Sequence, residues 1–218
     1  MFLRRCFFLA VFFFPVLANA ANAESPMSPD QALQELMAGN QRFVAEKVVH
    51  PNQTELHRKD LVEGQKPFAA ILGCSDSRVA TDLVFDRGLG DLFVARVAGN
   101  ILDDAVLGSL EYGVGVLKIP LIMVLGHESC GAVKAAIADK PLPGKIESIA
   151  KEIRQAIHGD TCDPKDQPTC ATKANVHAMV ERLKNSQEVI APLVKSGKLK
   201  IVGAFYDLET GKVELTNP

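Results

Sequence analysis

Residues 119–138, "IPLIMVLGHESCGAVKAAIA", decide the fold. The part from Pro120 to Gly126 is apolar without alternation and bounded by Pro and Gly. That pattern reads as a strand covered on both faces. The part from Cys130 onward, "CGAVKAAIA", reads as a helix, so His127 and Cys130 sit at a strand-to-helix junction. A second run of the same make-up, "PFAAILGC" at 67–74, ends in Gly73-Cys74. Between them "DLFVARVAG" (91–99) is a further strand candidate, and "DDAVLGSLEYGVGVL" (103–117) is helical. The region reads βαβαβ, which predicts an α/β fold with a central, mainly parallel sheet flanked by crossover helices. Sites in open parallel sheets form at the carboxyl ends of strands. Cys74, His127 and Cys130 all fall there, and adjacent strands would bring them together.

The flanks fit one domain. "SPDQALQELMAGNQRFVAE" (28–46) opens with Ser28, Pro29 and Gln31, a helix start with a capping-box partner. Leu33, Leu36, Met37, Phe43 and Val44 make an apolar packing stripe. Residues 174–196 read as a second amphipathic helix. "KLKIVGAFYDLETGKVELT" (198–216) reads as a β-hairpin turning near Thr210-Gly211. No linker divides the chain. Basic and acidic residues nearly balance, 24 against 26, which argues against a nucleic-acid partner.

The N-terminus reads as an export signal rather than as fold. Arg4 and Arg5 precede an apolar core from Cys6 to Leu17, and Ala18-Asn19-Ala20 offers a small-x-small cleavage site. Residues 1–20 are the expected signal peptide, cut after Ala20 or Ala23, and 21–218 the single domain. An uncleaved anchor is the rival reading, but the core is short for a bilayer span. The expectation is a periplasmic protein with no membrane attachment after cleavage.

Four cysteines then remain, in two settings. Cys162 and Cys170 lie in "HGDTCDPKDQPTC" (158–170), a polar, Pro- and Asp-rich stretch that reads as a surface loop. An oxidising compartment favours a disulfide between them, worth about 2–3 kcal/mol for so short a loop. The rival is a second metal site using His158 or His177. Cys74 and Cys130 instead follow buried strands. Two thiolates and an imidazole are ligands that tetrahedral zinc favours, and three protein ligands leave a position open for chemistry. The helix beginning near Cys130 favours a thiolate. In "CSDSR" (74–78), Asp76 and Arg78 stand beside a ligand. A bidentate pair with Arg78 would hold Asp76 back from the metal and let it orient a reacting water. Otherwise Asp76 is a fourth ligand in a closed site, or a turn residue in a surface ion pair. His50 and His57 follow no strand and read as surface residues.

"CSDSRV" followed by "GHESCGAV" resembles the β-class carbonic anhydrases. "AGNQRF", "GDLFVARVAGN", "SLEYGV" and the C-terminal strand extend the likeness over most of the chain. The resemblance implies a zinc enzyme for reversible hydration of CO2 to bicarbonate, with one Zn2+ per chain, assembled as a homodimer or a dimer of dimers. It places the zinc ligands on Cys74, His127 and Cys130, and an Asp–Arg dyad that orients zinc-bound hydroxide on Asp76 and Arg78. It places a substrate-binding Gln on Gln65, and apolar cleft residues contributed by the neighbouring subunit on Phe93 and Tyr112. Taken alone, Phe93 and Tyr112 also read as core residues. Some members carry a Trp three residues before the first Cys, as part of a non-catalytic bicarbonate site; here Ile71 stands there. Two other readings stay open: a zinc hydrolase of COS or CS2 on the same scaffold, and a non-catalytic zinc-binding or redox protein in which Cys74 and Cys130 exchange a disulfide.

Overall fold

The structure, a computed structural model, describes residues 27–159, 162–163 and 166–216. The expected signal peptide at 1–20 lies outside the described residues. Five strands form one sheet in the order β2-β1-β3-β4-β5. They are β1 (Ala69–Gly73), β2 (Leu92–Arg96), β3 (Leu121–His127), β4 (Lys200–Tyr206) and β5 (Val213–Thr216). The first three and β4 pair in parallel, and β5 returns antiparallel on β4, closing the expected hairpin. The α/β architecture is thus the one the apolar runs predict.

Every residue of β1 and β3 is buried. Alternation sends successive side chains to opposite faces. Ala70, Leu72, Ile122 and Val124 join one core. There they meet α4 (Asp104–Gly115), α7 (Gln167–Lys184) and α8 (Ile190–Lys195). Ala69, Ile71, Leu121, Met123 and Leu125 face the other core, with Leu36 of α1 (Pro29–Val44) and Val84 of α3 (Thr81–Val84). Each fully buried Leu, Ile or Met contributes about 1.5–3 kcal/mol, so a non-alternating run is stable only between two helical layers.

Helix α1 begins as its sequence dictates. The Ser28 hydroxyl accepts from the Gln31 N–H at 3.2 Å, and Gln31 Oε1 accepts from the Ser28 N–H at 2.8 Å. The short α2 (Glu55–Asp60) follows, with Thr54 as its cap. Two expectations change. The crossover between β1 and β2 carries only the four-residue α3. Residues 174–196 are not one helix. Helix α7 starts earlier, where Pro168 fits a first turn, so Cys170 is helical rather than in a loop. It stops at Asn185, whose side-chain amide bonds back to the Glu181 carbonyl at 2.8 Å, and α8 follows separately. Cys162 and Cys170 form a disulfide with Cα atoms 5.8 Å apart, tying the start of α7 to the segment before it. Helices α5 (Gly131–Ile137) and α6 (Ile146–Ala156) complete the layer beside the carboxyl ends of β1 and β3. Among the described residues no helix is long and apolar enough to cross a membrane.

Candidate metal centre

Adjacent strands deliver the donors. Strands β1 and β3 pair with Gly73 opposite Leu125, so the next residues, Cys74 and Gly126-His127, emerge side by side at the carboxyl edge. After His127 the chain reverses through Ser129, which holds a left-handed φ of +55°. A non-glycine residue adopts that conformation only where its surroundings impose it. The reversal sets Cys130 at the N-cap of α5. The Cys74, His127 and Cys130 ligand atoms then lie within 4.8 Å of one another.

All three donors are buried, with His127 at 0% exposure. His127 Nδ1 lies 2.8 Å from the Glu128 carbonyl oxygen, so Nδ1 carries the proton and donates. The Nε2 lone pair therefore faces the two sulfurs, and this buried atom has no hydrogen-bond partner. An orphaned buried acceptor is costly unless something unrepresented by side chains satisfies it. Its company of two thiols makes a transition-metal cation the fitting partner. Bond lengths of about 2.3 Å to sulfur and 2.0–2.1 Å to nitrogen match zinc to such a cluster.

The electrostatics favour one thiolate before any ion arrives. Hydrogen bonding with Cys130 leads in pulling the Cys74 thiol down to about 4, against the cost of burial, and the Gly99 N–H adds to it. The Gly99 N–H donates to Cys74 Sγ at 3.3 Å. Cys130 is pushed up, first by its contact with Cys74 and then by burial, while the Val133 and Ala132 N–H groups of α5 oppose the rise. Two thiols sharing one proton are what a dication would fully deprotonate.

Asp76 stands apart from the three donors, its Oδ2 3.9 Å from His127 Nε2. Arg78 clasps it in a fork: Nε to Oδ1 at 2.9 Å and Nη2 to Oδ2 at 2.7 Å, with the Arg78 backbone N–H also on Oδ1 at 3.0 Å. Arg78's side-chain hydrogen bonds hold the Asp76 carboxyl well below the usual carboxylate range. The Asp76 side chain is 18% exposed and Arg78 52%, so the dyad forms the open side of an otherwise buried cluster.

The other expected site residues are not gathered here. Gln65 is exposed in the segment before β1 and makes no hydrogen bond among the described residues. Phe93 of β2 and Tyr112 of α4 pair with ring centroids 6.3 Å apart. Phe93 packs against the core, while Tyr112 remains 48% exposed.

Sequence reasoning passed over three supporting residues. Arg96, at the end of β2, donates from Nε to the Cys74 carbonyl at 2.8 Å and from Nη2 to the Asp76 carbonyl at 2.6 Å. Its place at the carboxyl end of β1's neighbour was the available signal. Gly99 gives its N–H to Cys74 Sγ and Asn175 Nδ2 bonds the Gly99 carbonyl, contacts that no spacing announces.

The family model for carbonic anhydrase matches residues 69–213. Carbonic anhydrase 2 of Mycobacterium tuberculosis is 44% identical over 192 residues, covering 86% of this chain and 93% of its own. The β-carbonic anhydrase of Coccomyxa, solved in complex with acetazolamide, superposes with a TM-score of 0.66 at 28% identity. That match covers 84% of this chain and 85% of the Coccomyxa chain. A β-carbonic anhydrase of Sordaria macrospora, described as tetrameric, shares the fold with a TM-score of 0.70 at 24% identity. It covers 85% of this chain and 97% of its own.

Proposed function

This chain belongs to the carbonic anhydrases of the β class, and on that premise we propose that it performs zinc-dependent, reversible hydration of CO2 to bicarbonate and a proton. The observation that carries the zinc reading is the unpartnered, buried Nε2 of His127 facing Cys74 and Cys130. Those three residues hold the ion. Bound there, zinc would supply Lewis acidity, lowering the pKa of a coordinated water to about 7.

The chain's own residues do the rest. Asp76 stays charged through the working pH range because Arg78 clasps it. Its carboxylate accepts a hydrogen bond from the reacting water and orients it toward the CO2 carbon. The fork ties both Asp76 oxygens to Arg78 while leaving lone pairs for the water, and turning to the metal would break those bonds, which favours the open site over one closed by a fourth ligand. Gln65 offers its amide N–H to a substrate oxygen. The new C–O bond forms as a C=O bond of CO2 opens, giving bicarbonate, and the water's proton passes to solvent or buffer. We assign Phe93 and Tyr112 to the apolar cleft of a neighbouring subunit in a dimer or dimer of dimers. The exposure of Tyr112 and of Val116, at 48% and 61% on one end of α4, supports a covering partner. Export to the periplasm accords with the Cys162–Cys170 disulfide and with the N-terminal sequence. Mass measurement of the mature protein beginning at Ala21 or Glu24 would support it, and an intact N-terminus in the cytoplasm would refute it.

The test joins metal analysis to kinetics. The purified chain is expected to carry about one zinc and to hydrate CO2 in a stopped-flow assay, with COS and CS2 hydrolysis measured beside it. Cys74→Ser and His127→Ala are expected to lose zinc and hydration together. A zinc-free variant with full hydration rules out the mechanism, and rapid COS or CS2 turnover without CO2 hydration rules out the substrate.

A further inference from the structure

Helix α7 touches both backbones that support the metal centre. Thr172 and Val176 pack on Gly126, the residue before His127. A Cβ at Gly126 would lie 2.9 Å from the Thr172 methyl and 2.6 Å from a Val176 methyl, so only hydrogen fits. Between them in the chain is Asn175, at 0% exposure, whose Nδ2 donates to the Gly99 carbonyl at 2.9 Å across 76 residues of sequence. Gly99 is the residue whose N–H meets Cys74 Sγ at 3.3 Å. We propose, on the zinc reading above, that Asn175 is a positioning residue of the metal centre. It fixes the turn that aims the Gly99 N–H at Cys74, and so sets how firmly Cys74 retains the ion.

The turn has reason to need an anchor. Gly99 at φ +70° and Asn100 at φ +41° are successive left-handed residues, the second of them not glycine. The Gly99 carbonyl lies between them, and among the described residues Asn175 alone donates to it. Space around the turn is tight as well, since a Cβ on Gly99 would lie 2.6 Å from Ile153 Cδ1. Asn175 itself occupies an apolar face, beside Val176 and Met179 of the core. An amide there is unfavourable unless bonded; Nδ2 is bonded while the buried Oδ1 has no partner, so the Gly99 contact is the one side-chain hydrogen bond Asn175 makes among the described residues. Without it the turn is free to relax, and the Cys74 sulfur loses an aligned donor. Partners of this kind tune metal sites as strongly as 10- to 100-fold in affinity.

The full chain, loaded with Zn2+ or with Co2+ as a spectroscopic substitute, tests this. Asn175→Leu and Asn175→Ser are compared with Asn40→Ser. Asn40 is also buried and bonds the Val84 and Gly211 carbonyls and the Val213 N–H, none of them in the cysteine turns. In both Asn175 variants zinc is expected to pass to a chelator about 10-fold faster. Their thiolate-to-cobalt charge-transfer band should move to lower energy, because the sulfur is less hydrogen-bonded. Asn40→Ser should lower the melting temperature and leave both metal readouts in place. Circular dichroism establishes which variants are folded, and the smaller Ser substitution serves where Leu does not fit. A folded Asn175 variant with the wild-type band and zinc half-life overturns the inference while leaving the zinc reading intact. So does an equal change in Asn40→Ser. A wild-type chain that takes up neither metal overturns both.

Discussion

At the scale of single residues, the site is three donors and, beside them, one carboxylate clasped by an arginine. Cys74, His127 and Cys130 were legible because each follows a buried apolar run, and such runs end at the sheet edge where sites form. Asp76 was legible only in part. The sequence left it between hydroxide-orienting group, fourth ligand and surface ion pair, since a two-residue spacing says nothing about which way a carboxylate turns. The Arg78 fork, with bonds of 2.9 and 2.7 Å, favours the first. Arg78→Ala should therefore keep zinc, whose three ligands are untouched, and lower CO2 hydration by about 10- to 100-fold. Metal analysis beside stopped-flow kinetics checks this, and loss of zinc with activity would assign Arg78 to the binding site instead. Arg96 and Asn175 escaped because they bond backbone carbonyls, and Gly99 because it acts through its own backbone N–H. Contacts such as Arg96 to the Cys74 carbonyl depend on strand adjacency, which no local pattern encodes.

At the scale of elements, the strands were easier to read than the helices between them. β1 and β3 are apolar at every position, a signal of burial on two faces, whereas α3 is four residues and has no period to detect. The extent of α7 was misjudged because Pro and Asp before Cys170 suggested a loop, yet Pro168 sits where a helix begins. A prediction follows from the join between α1 and the crossover. Asp86, just after α3, is buried and receives Arg42 Nε at 2.6 Å and the backbone N–H groups of Val49 and His50. Burial pushes its carboxyl up, but Arg42 and the two N–H groups outweigh it and leave the group lowered. A carboxyl lowered on folding stabilises above its unfolded value, about 3.9, and that stabilisation is lost as pH falls through the folded value. Asp86→Asn should cost about 1.5–3 kcal/mol near neutral pH, and the gap from wild type should narrow as the medium is acidified below about pH 4. Urea unfolding at both pH values decides it; a gap that widens in acid contradicts the assignment.

At the scale of the whole molecule, one chain gathers the metal donors and the Asp–Arg dyad, while Gln65, Phe93 and Tyr112 stand on other segments. The proposed assembly, with a cleft completed by a second copy, is tested at Tyr112. Tyr112→Arg, at an exposed position on α4, should lower the mass in solution from a multiple of the chain toward one chain. CO2 hydration should fall with it while zinc is retained, and light scattering beside metal analysis would show both. An unchanged mass with unchanged activity would return Tyr112 to the single-chain surface. The central claim is that a metal held by Cys74, His127 and Cys130 is required for CO2 hydration, and it is tested most directly by one reversible experiment. Stopped-flow hydration is followed in the purified protein before chelation, after chelation and after zinc is restored. The account predicts that activity disappears with the zinc and returns in proportion to the zinc rebound; hydration that persists in the metal-free protein would contradict it.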